Sequence, residues 1–123
     1  MPRRLTLPAR LRLRRKKDFD AVYARGRRLG DGYFGMTATL NGAGVARLGL
    51  AVAVRVAGGA VERNRIRRVI KESFRLHQHA LPAVDLVVSA RAPARAAPGA
   101  LLRASLDGLW KKVAAQCATS PRP

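Results

Sequence analysis

Residues 60–75 read AVERNRIRRVIKESFR, which is the longest uninterrupted helical pattern in the chain and also its densest cluster of positive charge. Apolar and small side chains recur in this region every three or four residues, a spacing that places them on one side of a helix. This stripe comprises Ile66, Val69, Ile70, Ser73, Phe74 and His77. The pattern predicts a helix from residue 60 to residue 77 or 78 that packs one side against a core.

The other side of the predicted helix is strongly basic. Its cations are Arg63, Arg65, Arg67, Arg68, Lys71 and Arg75. Like charges four residues apart repel by roughly a few tenths of a kcal/mol per pair, so this row opposes helix stability unless a polyanion neutralises it. The alternatives are a solvated surface helix or a basic amphipathic helix bound to a membrane or a partner groove. Because the apolar stripe is mainly β-branched rather than rich in Trp and Leu, we favour nucleic acid as the partner.

The composition is that of a small folded domain with a large excess of positive charge. The 123 residues contain 25 Lys and Arg against 7 Asp and Glu, which gives a formal net charge of +18. A chain of this length fits one domain, and its 48% hydrophobic residues are enough for a core. The charge therefore belongs on the surface of a folded protein, where it favours an anionic partner such as RNA.

Several classes of protein are disfavoured by what the sequence lacks. Cys117 is the only cysteine, so an internal disulfide and a cysteine-based zinc cluster are excluded. No apolar run approaches the roughly 20 residues that cross a bilayer, and we expect no membrane partner and a cytoplasmic location. The seven acidic residues are scattered, and His77 and His79 fall on different faces of a helix. We therefore predict no metal site and no catalytic residue in the protein itself.

The remaining elements predict a mixed α+β (α/β) two-layer sandwich, in which helices pack a small mixed sheet. Their order is helix, strand, strand, helix, strand, helix. Around the basic helix we predict a helix from Lys17 to Arg25, strands at Gly32–Leu40, Arg47–Val56 and Asp85–Ala90, and a helix at Gly99–Cys117 anchored by Trp110. Residues 15–117 would form the domain, after a flexible basic arm (1–14) and before a disordered tail (118–123).

Two local patterns within the strands matter for the site. Asn41-Gly42 is a hairpin turn signal after the first predicted strand. In the second strand, Leu48, Leu50, Val52 and Val54 alternate with Gly49, Ala51 and Ala53, so one face is nearly bare. The bare face predicts either close helix packing or a floor for RNA, and the residues alone leave both open.

Beyond these physical patterns, Arg63-Asn64-Arg65, followed by Ile66-Arg67-Arg68 and Phe74-Arg75, resembles the signature of the bacterial ribonuclease P protein subunit. The surroundings agree. Arg47-Leu-Gly-Leu-Ala-Val-Ala53 is similar to the Gly-containing strand of the family, and Asp18-Phe19, Val22-Tyr23 and Gly26-Arg27-Arg28 are similar to its first helix. The resemblance covers residues 7–91 and includes the predicted third strand.

The resemblance implies a left-handed strand, helix, strand crossover and a role as protein cofactor in removing the 5′ leader of precursor tRNA. The partners would be ribonuclease P RNA and precursor tRNA, and neither DNA nor a membrane. The required catalytic RNA subunit would perform the hydrolysis and hold most of the magnesium. Contacts to catalytic RNA and phosphates are implied for Arg63, Asn64, Arg65, Arg67, Arg68, Lys71 and Arg75. The leader cleft is implied to contain Phe19, Tyr23, Phe34, Thr37, Ala51, Ala53 and Arg55, with Thr37 standing where an aromatic residue is frequent.

Two other functions share the charge and the size of this chain. A ribosomal-type structural RNA-binding protein would have a similar small fold and no processing role. A DNA-binding regulator could place the basic helix in a major groove, but no short turn links that helix to a preceding one. Ribonuclease P cofactor is therefore the function that the sequence favours.

Overall fold

A computed structural model describes residues 11–42, 44–53 and 58–118. Within these ranges the regular elements follow one another as α1 (Lys16–Arg25), β1 (Arg27–Gly30), β2 (Phe34–Leu40), β3 (Arg47–Ala51), α2 (Ala60–His77), β4 (Val84–Ala90) and α3 (Gly99–Ala118). Short 3₁₀ turns at Gln78–Ala80 and Ala92–Arg95 follow α2 and β4. No helix in these ranges is both long enough and apolar enough to cross a membrane.

The strands form one mixed sheet in the order β1-β2-β4-β3. β2 is antiparallel to β1 and to β4, whereas β3 and β4 are parallel neighbours joined through α2. The predicted mixed α+β class is confirmed. The apolar run Val84–Ala90 is central, as a strand covered on both faces should be, and all its residues except Ser89 are buried.

Strand β1 is absent from the prediction, which placed no strand between the first helix and Gly32. Its sequence, RRLG, has no apolar alternation, and Arg27 and Arg28 are exposed at the edge of the sheet. Charged residues are typical of edge strands, because they discourage pairing with another chain. A four-residue edge strand of this composition gives no periodic signal, and only its pairing with β2 reveals it.

The Asn41-Gly42 hairpin is wrong, because β2 does not pair with β3. Gly42 does adopt a left-handed turn conformation (φ 66°), but the chain then crosses to the far side of β4 before β3 begins. The hairpin of this sheet joins β1 to β2, where the Asp31 carboxylate accepts hydrogen bonds from the backbone N–H groups of Tyr33 and Phe34. The second strand is also shorter than predicted, since β3 ends at Ala51 and residues 54–57 lie outside the described residues.

Helices α2 and α3 cover one face of the sheet and form the main core. Phe34, Ile66, Ile70 and Phe74 are fully buried there. Trp110 lies in the same core and donates from its indole Nε1 to Ser73 Oγ at 2.8 Å. Its ring packs edge to face with that of Phe74, with centroids 5.9 Å apart. The anchoring role of Trp110 is thereby confirmed, and so is the apolar stripe of the basic helix from Ile66 to Phe74, whereas His77 at its end is only partly buried.

Helix α1 lies on the opposite face, where Val22 and Val87 form a smaller core with Leu13. The segment before α1 belongs to the domain, since Leu11 and Leu13 are 4% and 3% exposed. Leu13 N–H donates to the Leu48 carbonyl at 2.8 Å, beside an isolated parallel bridge between Arg12 and Leu48. The predicted flexible arm is therefore wrong for residues 11–13, because they cover the free edge of β3. Residues 1–10 and 119–123 lie outside the described residues.

Candidate nucleic-acid interface

Helix α1 only partly covers its face of the sheet, and two concave surfaces lie beside it. The α2 groove, of about 240 Å³, lies at the β3 edge and is lined by Arg12, Leu13, Arg14, Phe19, Leu48, Leu50, Arg67 and Lys71. The β1 groove, of about 700 Å³, lies towards the other edge and is lined by Tyr23, Arg28, Leu29, Gly35, Met36, Thr37, Ser89, Ala90 and Arg91. Among the residues that the structure describes, these two linings contain cations and no carboxylate.

The α2 groove concentrates positive charge. Arg67 and Lys71 stand one turn apart on α2, and Arg12 joins them from the segment paired with β3. Burial lowers the pKa of Lys71, and the neighbouring charges of Arg67, Arg12 and Arg68 lower it further. Arg12 Nε is also buried without a hydrogen-bond partner in the described part of the chain. An anion in this groove would relieve the repulsion and supply acceptors, as a phosphate group does.

Phe19 connects the packing of α1 to the α2 groove. A side chain at Gly49 would place its Cβ 2.9 Å from Phe19 Cζ, so the ring occupies the space that glycine leaves open on β3. The bare face of this strand is thus used for close helix packing at Gly49. Phe19 remains half-buried and also lines the α2 groove. The residue therefore contributes to the smaller core and to the wall of the groove.

Tyr23 has a different environment from Phe19, although the two stand one turn apart on α1. Its side chain is 53% exposed and lines the β1 groove. Arg28 and Arg91 line the same groove, and Arg91 Nε donates to the Phe34 carbonyl at 3.2 Å. An exposed ring beside two guanidinium groups suits a single-stranded nucleic acid, because bases stack on aromatic faces and phosphates bind arginine.

The structure separates the residues predicted for the leader cleft. Tyr23 and Thr37 line the β1 groove, Phe19 lines the α2 groove, and Ala51 packs against the smaller core. Ala53 is exposed beyond the end of β3, and Arg55 lies outside the described residues. The cleft assignment of Phe34 is wrong. Phe34 is 0% exposed and faces α2 and α3, because neighbouring residues of a strand point to opposite faces and Gly35 takes the groove side.

The predicted RNA-binding residues of α2 do not form one site either. Arg67 and Lys71 line the α2 groove, with exposed Arg68 beside them, and Asn64 is exposed. Arg65 instead contacts Glu62 Oε1 at 3.4 Å and donates to the Arg95 carbonyl at 3.1 Å. Like Arg12, both Arg63 and Arg75 are half-buried with an Nε that has no partner among the described residues. The basic side of the helix therefore presents several separate surfaces.

Arg12, Arg28 and Arg91 line the grooves but were missed as site residues. The sequence assigned Arg12 to a flexible arm, although the flanking Leu11 and Leu13 carry a strand-like alternation that indicates pairing. Arg28 and Arg91 come together because β1 and the end of β4 flank the same strand, β2. That arrangement depends on strand order, which no local pattern in the sequence gives.

Several of the described carboxylates contact polar or basic side chains and are not grouped as a magnesium site requires. Asp85 forms two hydrogen bonds of 2.8 Å with the Arg47 guanidinium and accepts another from Asn41. Asp31 caps the β1–β2 turn and accepts from Ser105 Oγ, while Asp107 Oδ1 lies 3.4 Å from His77 Nε2. Within the described ranges, no three His, Cys, Asp or Glu side chains come together to hold a metal ion. The donor set of this part of the chain does not suit Mg²⁺, which prefers carboxylates and phosphate oxygens.

Comparison with known proteins links the chain to one family. The family model described as Ribonuclease P matches residues 7–114. The chain is 37% identical to a ribonuclease P protein component of Thioalkalivibrio sulfidiphilus, over 90% of this chain and 92% of the relative. It is 38% identical to that of Yersinia pestis, over 95% and 98%. The fold is similar to that of the Staphylococcus aureus RNase P protein, with a TM-score of 0.79 and 31% identity over 83% and 94% of the two chains.

Proposed function

The chain belongs to the ribonuclease P protein family, whose members act together with RNA, and we propose that it assists a catalytic RNA in removing the 5′ leader of precursor tRNA. In this proposal the protein binds both the catalytic RNA and the leader, in the cytoplasm. The RNA subunit performs the endonucleolytic hydrolysis and holds most of the magnesium. The protein contributes affinity and orientation, for which it requires cations and stacking surfaces but no active site of its own.

The observation that carries this proposal is the pair of cationic grooves beside α1. The α2 groove brings Arg67 and Lys71 of the basic helix together with Arg12 and suits phosphates of a folded RNA. The β1 groove offers the exposed ring of Tyr23 beside Arg28 and Arg91 and suits an unpaired strand. Two grooves of different character are what a cofactor needs if it holds a structured RNA and a single-stranded leader at once.

The engagement of the carboxylates supports assignment of the chemistry to RNA. A protein nuclease of the metal-dependent kind needs clustered acids to hold its ions and to position the attacking water. In the described part of this chain, Asp85 is bound to Arg47, and Asp31 is used in a turn. The phosphates of a catalytic RNA can hold magnesium without help from these side chains.

Reconstitution with a ribonuclease P RNA tests the proposal. The holoenzyme should cleave precursor tRNA at a low magnesium concentration at which the RNA alone is nearly inactive, and it should bind precursor more tightly than mature tRNA. The purified protein alone should not cleave in magnesium. Cleavage by protein from which all RNA has been removed would contradict the assignment of catalysis to RNA. Failure to stimulate the RNA, together with equal affinity for precursor and mature tRNA, would favour a purely structural RNA-binding protein.

A further inference from the structure

Lys71 differs from the other lysines of the chain in its surroundings. The other lysines, all exposed, are Lys16, Lys17, Lys111 and Lys112. Lys16 also donates to the Asp20 carboxylate at 2.8 Å, and this hydrogen bond raises the pKa of Lys16. Lys71 is instead half-buried in the lining of the α2 groove. Its amine therefore has an environment that the exposed lysines do not share.

The surroundings of Lys71 favour the neutral, nucleophilic form of its amine. Burial lowers the pKa of Lys71, and the charges of Arg67, Arg12 and Arg68 lower it further. The ring of Phe19 and three leucines form the apolar part of the same lining. Desolvation and neighbouring cations are two conditions that activate a lysine as a nucleophile, and Lys71 meets both.

The α2 groove also suits a small anion beside this amine. Arg67 lies one turn from Lys71 on α2, and Arg12 Nε is buried without a partner among the described residues. The described lining contains no carboxylate that would compete for these cations. Guanidinium groups bind phosphate oxygens well, and the groove of about 240 Å³ admits a small phosphate compound. A compound that carries both a phosphate group and an electrophilic carbon would meet an anion site and a nucleophile together.

We propose that the α2 groove binds acyl phosphates and that Lys71 is the residue they acylate. The phosphate group lies against Arg12 and Arg67, and the lone pair of Lys71 Nζ attacks the carbonyl carbon. A carbon–nitrogen bond forms, the bond between the carbonyl carbon and the phosphate oxygen breaks, and inorganic phosphate leaves with that electron pair. The amine loses one proton to the phosphate or to solvent. The product is a neutral amide at Lys71, and the step needs no further reactant.

Acylation changes the charge of the groove. An acylated lysine carries no positive charge, so the α2 groove loses one of its cations. The modification does not depend on the proposed function, but its effect on RNA does. If Lys71 contacts a duplex phosphate of the catalytic RNA, acylation should lower the salt slope, which is the slope of log affinity against log salt concentration, by about 0.9. The supply of acyl phosphate would then set the fraction of the protein that binds RNA at full affinity.

Acetyl phosphate is the probe for this site. The full-length protein is incubated with acetyl phosphate near neutral pH, and mass spectrometry gives the acetylated fraction at each lysine over time. We expect Lys71 to be acetylated several-fold faster than Lys111, the matched exposed lysine. Acetic anhydride, which has no phosphate group, should show a smaller preference for Lys71. Inorganic phosphate should protect Lys71 but not Lys111, relative to chloride at the same ionic strength.

Two substitutions test the role of the cations, with thermal unfolding as the check that both variants fold. Arg67→Gln should slow acetylation of Lys71 several-fold, because it removes a phosphate contact and a charge that disfavours the ammonium form. Arg103→Gln is the matched control and should leave the rate unchanged, since Arg103 is exposed on α3 and lines a groove between α2 and α3. Equal rates at Lys71 and Lys111 with acetyl phosphate overturn the proposal. A preference for Lys71 that neither inorganic phosphate nor Arg67→Gln reduces also overturns it, since the groove would then not bind the anion.

Binding to a ribonuclease P RNA separates the acylation site from its consequence. Treatment with acetyl phosphate should weaken RNA binding by the unsubstituted protein. The same treatment should have little effect on Lys71→Arg, which keeps a positive charge and has no amine to acylate at this position. If Lys71 is selectively acetylated and RNA affinity does not change, the acylation site stands and the place of Lys71 in the RNA interface is overturned.

Discussion

The two faces of the sheet differ in how completely they are covered by apolar packing. On the face covered by α2 and α3, large side chains such as Phe34 and Phe74 are fully buried, and the indole N–H of Trp110 has a partner in Ser73. On the α1 face, glycines form part of the floor and cations line open grooves, and the Nε of Arg12 has no partner among the described residues. The first face stabilises the domain, and the second keeps binding capacity free at some cost in stability.

Hydrogen bonds nevertheless hold the strands together on the α1 face. The Arg47 guanidinium forms two 2.8 Å hydrogen bonds with Asp85, which joins β3 to its neighbour β4. Asn41 donates to the same carboxylate and to the Val45 carbonyl, so the segment between β2 and β3 is held as well. This face therefore combines polar groups that fix the strands with cations that line the open grooves.

The largest expected effect is on stability, and it compares one aromatic residue from each face of the sheet. Phe34→Ala should lower the free energy of unfolding by about 3–5 kcal/mol, because it leaves a cavity in the main core. Tyr23→Ala is the matched control and should change stability by less than about 0.5 kcal/mol, since its ring is more than half exposed. Urea or thermal unfolding of both variants makes the comparison. Equal losses would mean that Tyr23 is packed as a core residue.

A second prediction concerns the contact between α1 and the sheet. Gly49→Ala should destabilise the protein by about 1–3 kcal/mol, because the new Cβ would meet Phe19 Cζ at 2.9 Å and Leu13 Cβ at 3.1 Å. Displacement of the Phe19 ring should also weaken binding to the catalytic RNA through the α2 groove. Gly108→Ala on α3 is the control, because nothing lies within 4 Å of a Cβ there. Equal unfolding temperatures for the two variants would contradict the close packing of Phe19.

The third prediction concerns Tyr23 as a stacking surface. Tyr23→Ala should weaken precursor binding by about 1–3 kcal/mol, the range for loss of one aromatic platform, and should leave mature tRNA unaffected. Phe19→Ala should differ, since this half-buried ring packs on Gly49 and its loss should lower stability as well. Titration of each holoenzyme with both tRNAs, together with thermal unfolding, distinguishes the two. If Tyr23→Ala weakens mature tRNA equally, its ring does not contact the leader.

The main core could be predicted because its apolar residues recur with the periodicity of the helix or strand that contains them. The stripe from Ile66 to Phe74 repeats at helical spacing, and residues 84–90 are an almost continuous apolar run. The burial of each segment can therefore be predicted from its own sequence. The same reasoning placed Trp110 correctly in the core. Phe34 shows the limit of arguing from a resemblance, since the resemblance implied a place in the leader cleft, whereas the alternation of β2 directs Phe34 to the core and Gly35 to the groove.

The α1 face depends on contacts between distant parts of the chain, which local patterns do not encode. The Asn41-Gly42 turn signal could not show that β4 is inserted between β2 and β3. Arg12 enters the α2 groove only because its segment pairs with β3, and Arg91 meets Gly30 and Gly35 only because β2 lies between β1 and β4. Composition predicted an anionic partner, and the strand order determines which cations line the grooves.

The smallest expected effect tests whether the cations of the α2 groove destabilise the folded protein while they strengthen RNA binding. Lys71→Met should raise the free energy of unfolding by about a few tenths of a kcal/mol, because it removes repulsion from Arg67 and other neighbours. Lys111→Met is the matched control, since Lys111 is exposed on α3. The same Lys71 substitution should lower the salt slope for catalytic RNA by about 0.9, the value for one phosphate contact with a duplex.

The pH dependence of Lys71 provides an independent measurement. Burial, with the nearby arginines, lowers the pKa of Lys71 in the folded state below its ordinary value of 10.5, so between these two pKa values the unfolded chain binds more protons. Stability contributed by this site should therefore rise as pH increases through that interval, whereas RNA affinity should fall, because a bound phosphate favours the charged lysine. Both trends should weaken in Lys71→Met and persist in Lys111→Met. If the two variants show the same salt slope and the same pH profile, Lys71 lies outside the RNA interface, and the contrast between the two faces would not extend to this groove.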